Sequence, residues 1–144
     1  NDVTRISIIE VPDHPGIAFK IFSALAANKI NVDIILQSVG RAGTKDISFT
    51  VSTSQKEDAL RISEELKSVI GAKEVTFNDN VSKVSIVGAG MLSNPGVAAM
   101  MFEALGENNI NISMISTSEI KISVLIEQDL AKKAVNAIHD KFDL

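Results

Sequence analysis

Residues suited to chemistry fall in two places. The first is the run Val11-Pro12-Asp13-His14-Pro15-Gly16. Glycine lets a ligand approach the backbone closely. A helix opening behind it offers unpaired N–H groups and the positive end of its dipole to a carboxylate. Asp13 offers a charge to an ammonium. A turn that pairs an anion site with a carboxylate is a receptor for a free amino acid. The plainer alternative makes Asp13 an Asx-turn residue and Gly16 a relief from crowding. The second place is Ser116-Thr117-Ser118-Glu119, four polar side chains between two apolar runs. A plain hairpin there prefers Gly or Asn-Gly. Polar groups crowded at a strand end suggest a site; the alternative is hydroxyls paired across strands and a solvated glutamate.

Catalysis finds little support. His14 and His139 are the only histidines. One sits beside a proline in a turn and the other near the end of a charged helix, and neither has a partner order that suggests a triad or metal-ligand spacing. Gly88-Ala89-Gly90 follows a strand, but the third glycine of a dinucleotide fingerprint is missing. The chain has no cysteine, which excludes disulfides, thiolate metal sites and cysteine nucleophiles and fits a reducing cytosol. The net charge of −4 comes without a Lys/Arg cluster, and six Phe with no Tyr or Trp leave no aromatic sheet face for RNA. The expected partners therefore include no nucleic acid. No apolar run reaches the roughly 20 residues of a membrane span, so no membrane is expected and the location expected is cytoplasmic. Asn1 is not a natural start residue, so the chain is expected to be a fragment of a longer protein or a processed one.

The elements that must position these residues come in two copies. Val3–Ile9 matches Val81–Val87, Pro15-Gly16-Ile17-Ala18 matches Pro95-Gly96-Val97-Ala98, and Phe22, Ala24, Leu25, Asn28, Ile30 and Asn31 recur as Phe102, Ala104, Leu105, Asn108, Ile110 and Asn111. The copies are too long and too few for a solenoid, so two similar domains are expected, 1–79 and 80–144. Each opens with a strand, near Arg5–Val11 and Lys83–Gly88. A helix follows with Pro15 or Pro95 at its first position and His14 or Asn94 near the N-cap. Its apolar stripe is Ile17, Ala18, Ile21, Phe22 and Leu25, or Val97, Ala98, Met101, Phe102 and Leu105. Asn28 and Asn108 end these helices as left-handed caps. Second strands are expected at Val32–Val39 and Ile112–Thr117. Gly40 to Thr44 reads as a flexible loop that the second copy nearly lacks. In the third strands, Ile47, Phe49 and Val51 alternate with Ser48 and Thr50, and Ile120, Ile122, Val124 and Ile126 alternate with Lys121 and Ser123. Ser54 and Asp129 are expected to cap a second helix. That helix buries Ala59, Ile62, Leu66, Val69 and Ile70 in one copy, and Leu130, Ala134, Ile138 and Phe142 in the other. Copy one adds a last strand at Lys73–Asn78.

Each unit thus runs β-α-β-β-α, the ferredoxin-like α+β arrangement of an antiparallel sheet with helices on one face. The second lacks its last strand within this chain, and its partner strand is expected from upstream of Asn1 or from another subunit. Units of about 70 residues are marginal alone, which favours pairing of domains and a dimer.

Asp13-His14-Pro15-Gly16-Ile17-Ala18, then Asn31-Val32-Asp33 and Gln37-Ser38, resemble paired ACT domains. The run Ile115-Ser116-Thr117-Ser118-Glu119-Ile120-Lys121-Ile122-Ser123-Val124-Leu125-Ile126 resembles the regulatory region of aspartate kinases, as does Val84 to Met91 with Asn94-Pro95-Gly96-Val97-Ala98. The likeness runs the whole chain. The Pro-Gly turn is generic to ACT domains and the Ser-Thr-Ser-Glu run is specific. The resemblance implies the regulatory region or subunit of an enzyme that makes aspartyl phosphate from aspartate and ATP with magnesium. It implies no catalytic site and no cofactor in this chain, and partners in a kinase domain or catalytic subunit. It implies feedback inhibition by lysine or threonine, bound where the first ACT domain of one chain meets the second of another in a homodimer. On this reading Asp13, Gly16, Ala18 and Gln37 contact the effector of the first pocket, with Asn111 and Ile112 facing it. Met91, Asn94, Gly96, Ser118 and Glu119 form the second, with Asn31 and Val32 facing it. Glu119 suits a lysine ammonium, and the space around Asp13, Ala18 and Gln37 suits threonine. The other readings are a free-standing tandem ACT sensor for another partner, and a dimerisation module with vestigial pockets.

Overall fold

The computed structural model describes residues 3–40, 42–87, 96–118 and 120–142. It divides into two compact units, 2–79 and 80–144. In the first, β1 (Val3–Pro12), α1 (Ile17–Ala27), β2 (Val32–Val39), β3 (Thr44–Ser52), α2 (Lys56–Ile70) and β4 (Glu74–Asn78) follow in order. The antiparallel sheet has the order β2-β3-β1-β4. The second unit has β5 (Val81–Val87), α3 (Gly96–Glu107), β6 (Met114–Thr117), β7 (Lys121–Glu127) and α4 (Ala131–Lys141). Among the described residues its sheet has the strands β5-β7-β6. Both units are α+β and ferredoxin-like.

The period-2 pattern of β1 and β3 sends Ile6, Ile8, Ile47, Phe49 and Val51 to one face, where they meet Ile17, Ile21 and Leu25 of α1 and Ala59, Ile62 and Ile70 of α2. Burying each large aliphatic side chain contributes about 1.5–3 kcal/mol. Phe22 stacks edge-on against Phe49, with ring centroids 5.8 Å apart. Val84, Ile122, Val124, Ile126, Met101, Leu105 and Ile138 build the matching core of the second unit.

Several local expectations change. Pro15 is not the first helical residue. Gly16 is the N-cap, with φ 88°, and α1 begins at Ile17. Proline and glycine here form a turn in which Ile17 N–H donates to His14 O (3.2 Å). Pro95 and Asn94 lie outside the described residues. Asn28 has φ −97°, and the left-handed residues are the following Lys29 (φ 61°) and Asn109 (φ 56°). Asn28 and Asn108 end their helices differently: each Nδ2 donates to the carbonyl four residues back, Ala24 or Ala104, at 2.8 Å. Such a bond adds a side-chain donor to a carbonyl of the last turn, where backbone donors run short. Ser54 is not a cap. Ser52 caps a 3₁₀ turn at Thr53–Gln55 that leads into α2. Asp129 lies inside the corresponding turn, Gln128–Leu130. Val69 is exposed, because it falls off the core-facing side of α2, and Ile120 is exposed because it precedes β7. Ser48, Thr50 and Ser123 are buried although they alternate with the core residues, being on central strands. Gly40 to Thr44 is a closed turn: Gly40 N–H donates to Thr44 O (2.9 Å), and a Cβ on Gly40 would lie 2.7 Å from that oxygen.

Candidate functional site

β1 ends where the chain must turn into α1, and this turn is tied to the β2–β3 hairpin. Asp13 N–H donates to Gly43 O at 2.9 Å. The Asp13 carboxylate accepts from Lys45 Nζ at 3.2 Å, with Lys45 17% exposed and Asp13 58% exposed. Lys45 stands on β3 opposite Val11 on one side and Val39 on the other. Asp13, Gln37, Ser38, Val39, Thr44 and Lys45 line a cavity of about 220 Å³. The fold thus brings two expected site residues, Asp13 and Gln37, to one polar concavity bearing a carboxylate, an ammonium, an amide and hydroxyls.

Gly16 and Ala18 follow on the same turn and on α1. The space around Gly16 is open, since an added Cβ meets nothing within 4 Å, so its left-handed φ is what calls for glycine, not close packing in this chain. Ile17 N–H is engaged by His14 O, and the N–H groups of Ala18 and Phe19 are the next donors of the first helical turn.

Gly96 is the first residue of α3. Ser118 closes the β6–β7 hairpin, its N–H donating to Lys121 O at 2.7 Å. Met91, Asn94 and Glu119 lie outside the described residues. Asn31 is exposed and Val32 packs on the first core. Asn111 and Ile112 show the same pattern on the second. Both pairs sit between a left-handed residue and a buried anchor, Ile34 or Met114.

Lys45 is the functional candidate that sequence reasoning missed. The repeat held the signal. Ser7–Ser48 and Ser85–Ser123 are equivalent pairs, bonded at 2.8 and 2.7 Å, and they set the register between copies. In that register Ile120 stands where Lys45 does, and once the two-residue insertion before the second Pro-Gly is counted, Ser93 stands for Asp13. Both members of the ion pair are lost together in the second copy.

Other concavities converge less. An open groove of about 700 Å³ between α3 and α4 mixes Asp129, Lys132, Lys133 and Asp140. Among the described residues, no group of three or more His, Cys, Asp or Glu is placed to hold a metal. No helix among them is long and apolar enough to cross a membrane. His14 and His139 are both exposed.

The ACT domain family profile matches residues 4–71, and a second ACT domain profile matches 84–142. The chain is 47% identical over 143 residues to an aspartate kinase from Stutzerimonas stutzeri, covering 99% of this chain and 35% of that protein. It therefore spans about a third of the curated relatives it matches. Among solved structures it is similar to a chain of aspartokinase alpha and beta subunits (TM-score 0.92, 45% identity, 99% of this chain and 94% of that one). It is also similar to the ligand-free regulatory subunit of aspartate kinase from Thermus thermophilus (TM-score 0.92, 42% identity, 98% and 93%).

Proposed function

The chain belongs to the aspartate kinase family, of which it is the regulatory part with tandem ACT domains, and from that premise we propose that it senses free lysine or threonine and restrains the kinase. The observation that carries the reading is the polar cavity of about 220 Å³ at the β1–α1 turn, where Asp13 and Gln37 meet. An amino acid presents an ammonium to Asp13, and the first-turn N–H groups of α1 face its carboxylate. Lys45 holds Asp13 in place when the site is empty.

The first pocket is proposed to take threonine through Asp13, Gly16, Ala18 and Gln37, completed by Asn111 and Ile112 of a partner copy. The second takes lysine, with Met91, Asn94, Gly96, Ser118 and Glu119 as the contacts and Asn31 and Val32 of the partner facing it. The parent protein is proposed to be a cytoplasmic kinase that phosphorylates aspartate with ATP and magnesium. This region would act as one part of its chain or as a separate regulatory subunit.

Control follows from linkage. An amino acid that binds one domain arrangement better than another shifts the population between them, typically with a coupling of roughly 1–3 kcal/mol. Removing the carboxylate should lose a charge-assisted hydrogen bond, about 1.5–3 kcal/mol or roughly ten- to a hundredfold in affinity. Asp13→Ala is therefore expected to weaken one amino acid by that factor in calorimetry while the far-UV spectrum is unchanged. Unchanged affinity for every aspartate-derived amino acid would refute the pocket assignment.

A further inference from the structure

We propose that Gln55 is a positioning residue that holds the Asn31–Val32 segment in its amino-acid-binding arrangement; the inference rests on the sensing role proposed above. Gln55 closes the 3₁₀ turn between β3 and α2 and is half-buried. Its side chain reaches the connection between α1 and β2. Nε2 donates to Lys29 O at 2.8 Å, and Oε1 accepts from Asn31 N–H at 2.9 Å. One amide thus brackets Ile30, which is itself buried in the first core.

The far end of the segment is held as well. The β2–β3 register shifts between Val32 and Ile35, and Ile34 N–H donates to Thr50 Oγ1 at 3.0 Å within this irregularity. Asn31 and Val32 therefore lie between two side-chain anchors, Gln55 and Thr50. Neither anchor belongs to the pocket lining itself.

The repeat supplies an independent observation. In the register set by the paired serines, Leu130 stands at the position of Gln55 and Leu125 at that of Thr50. Neither leucine can form these bonds. Leu130 instead packs against the second core. The equivalent segment, Asn111–Ile112, therefore lacks both side-chain anchors of the first copy. The Asn31–Val32 segment is pre-organised, and Asn111–Ile112 is held differently. Ordering before binding removes a cost from the affinity.

The test uses the full-length protein with Gln55→Leu, the residue the second copy carries, and Gln55→Glu, which keeps an acceptor for Asn31 N–H but not the donor to Lys29. Lysine and threonine are titrated by calorimetry, and amide exchange is followed at Asn31. In Gln55→Leu, exchange at Asn31 should accelerate. Lysine affinity should fall about tenfold, as when the competent arrangement drops to about a tenth of the population. Threonine affinity should hold, and Gln55→Glu should lose less. Unchanged exchange at Asn31 overturns the clamp. Faster exchange with both affinities intact, an equal fall in both, or a fall for threonine alone overturns the positioning role. If Gln55→Leu does not fold, Gln55→Glu decides by the same criteria. Wild-type protein that binds neither amino acid refutes the sensing role itself, and this control separates that failure from a failure of the clamp.

Discussion

Ser63 lies on α2 with its side chain fully buried, and its Oγ has no hydrogen-bond partner among the described residues. A buried hydroxyl left unpaired costs roughly 1–3 kcal/mol. The second copy places Ile138 at this position, buried in its core. Ser63→Ala should therefore stabilise the first unit by about 1 kcal/mol, less whatever the small void returns, and raise its melting temperature by several degrees. Calorimetric scans of the two proteins check this, and an unchanged or lower transition would mean the hydroxyl is satisfied. Sequence alone gave no warning, because serine on a helix reads as solvent-facing. The lining of the polar cavity was more legible. Asp13 and Gln37 were singled out and line one cavity, since both sit at the sheet end where β1 turns into α1. Lys45 was missed because a single lysine in an alternating strand looks like ordinary solvent-facing charge. Only the strand register, opposite Val11, shows that it reaches Asp13.

Element identity was readable because apolar periodicity survives in both copies, and element boundaries were less so. Pro-Gly suggested an immediate helix start, yet glycine's left-handed φ made it the cap and moved the start to Ile17. Two short 3₁₀ turns replaced the expected caps of α2 and α4; at the first, Ser52 Oγ accepts from Ser54 N–H, and the second follows Glu127 without a side-chain cap bond. The start of α2 is secured at a point sequence could not indicate. Lys56 Nζ lies 4.1 Å from the centroid of the Phe77 ring and bonds Asp79, whose other oxygen accepts from Thr4 Oγ1 at 2.9 Å. One carboxylate thus joins β1, α2 and the end of β4. The Lys56 bond, and then the Thr4 bond, hold the Asp79 carboxyl below its ordinary range. A depressed folded value gives stability that is fully present above the unfolded value. It is lost as pH falls through the folded one. Asp79 is 41% exposed, so solvent and salt screen the contribution. Asp79→Asn should lower the melting temperature at neutral pH, and the gap from wild type should close in strong acid. A gap that persists unchanged below the carboxylate range would show that packing, not charge, makes the tie.

At the scale of the molecule, duplication gives two cores that share a plan but not a surface chemistry. The first unit keeps the Asp13–Lys45 pair and the Gln55 bracket. The second replaces them with Ser93, Ile120 and Leu130. The two pockets proposed above would then differ in charge and in how the facing segment is held, which suits two effectors, or one effector and one silent site. The sheets also expose apolar side chains along edge strands: Ile35, Leu36 and Val39 on β2 at 48%, 39% and 99%, and Ile115 on β6 at 47%. Edge strands with unpaired backbone and apolar side chains are templates for another chain. If amino acids bind where two copies meet, binding and association are linked. The effector must then raise the dimerisation constant by the same factor that dimerisation raises its affinity. Sedimentation velocity over a dilution series should therefore show a monomer–dimer midpoint that moves to lower protein concentration with saturating lysine or threonine. A coupling of about 1.4 kcal/mol moves it tenfold. A monomer at every concentration, with and without either amino acid, would remove the shared site. A dimer whose midpoint ignores both ligands would leave the interface standing and place the amino acids elsewhere. At a concentration that only just saturates the wild type, Asp13→Ala should reduce the shift for the ligand of the first pocket alone, so the shift also reports which pocket is live.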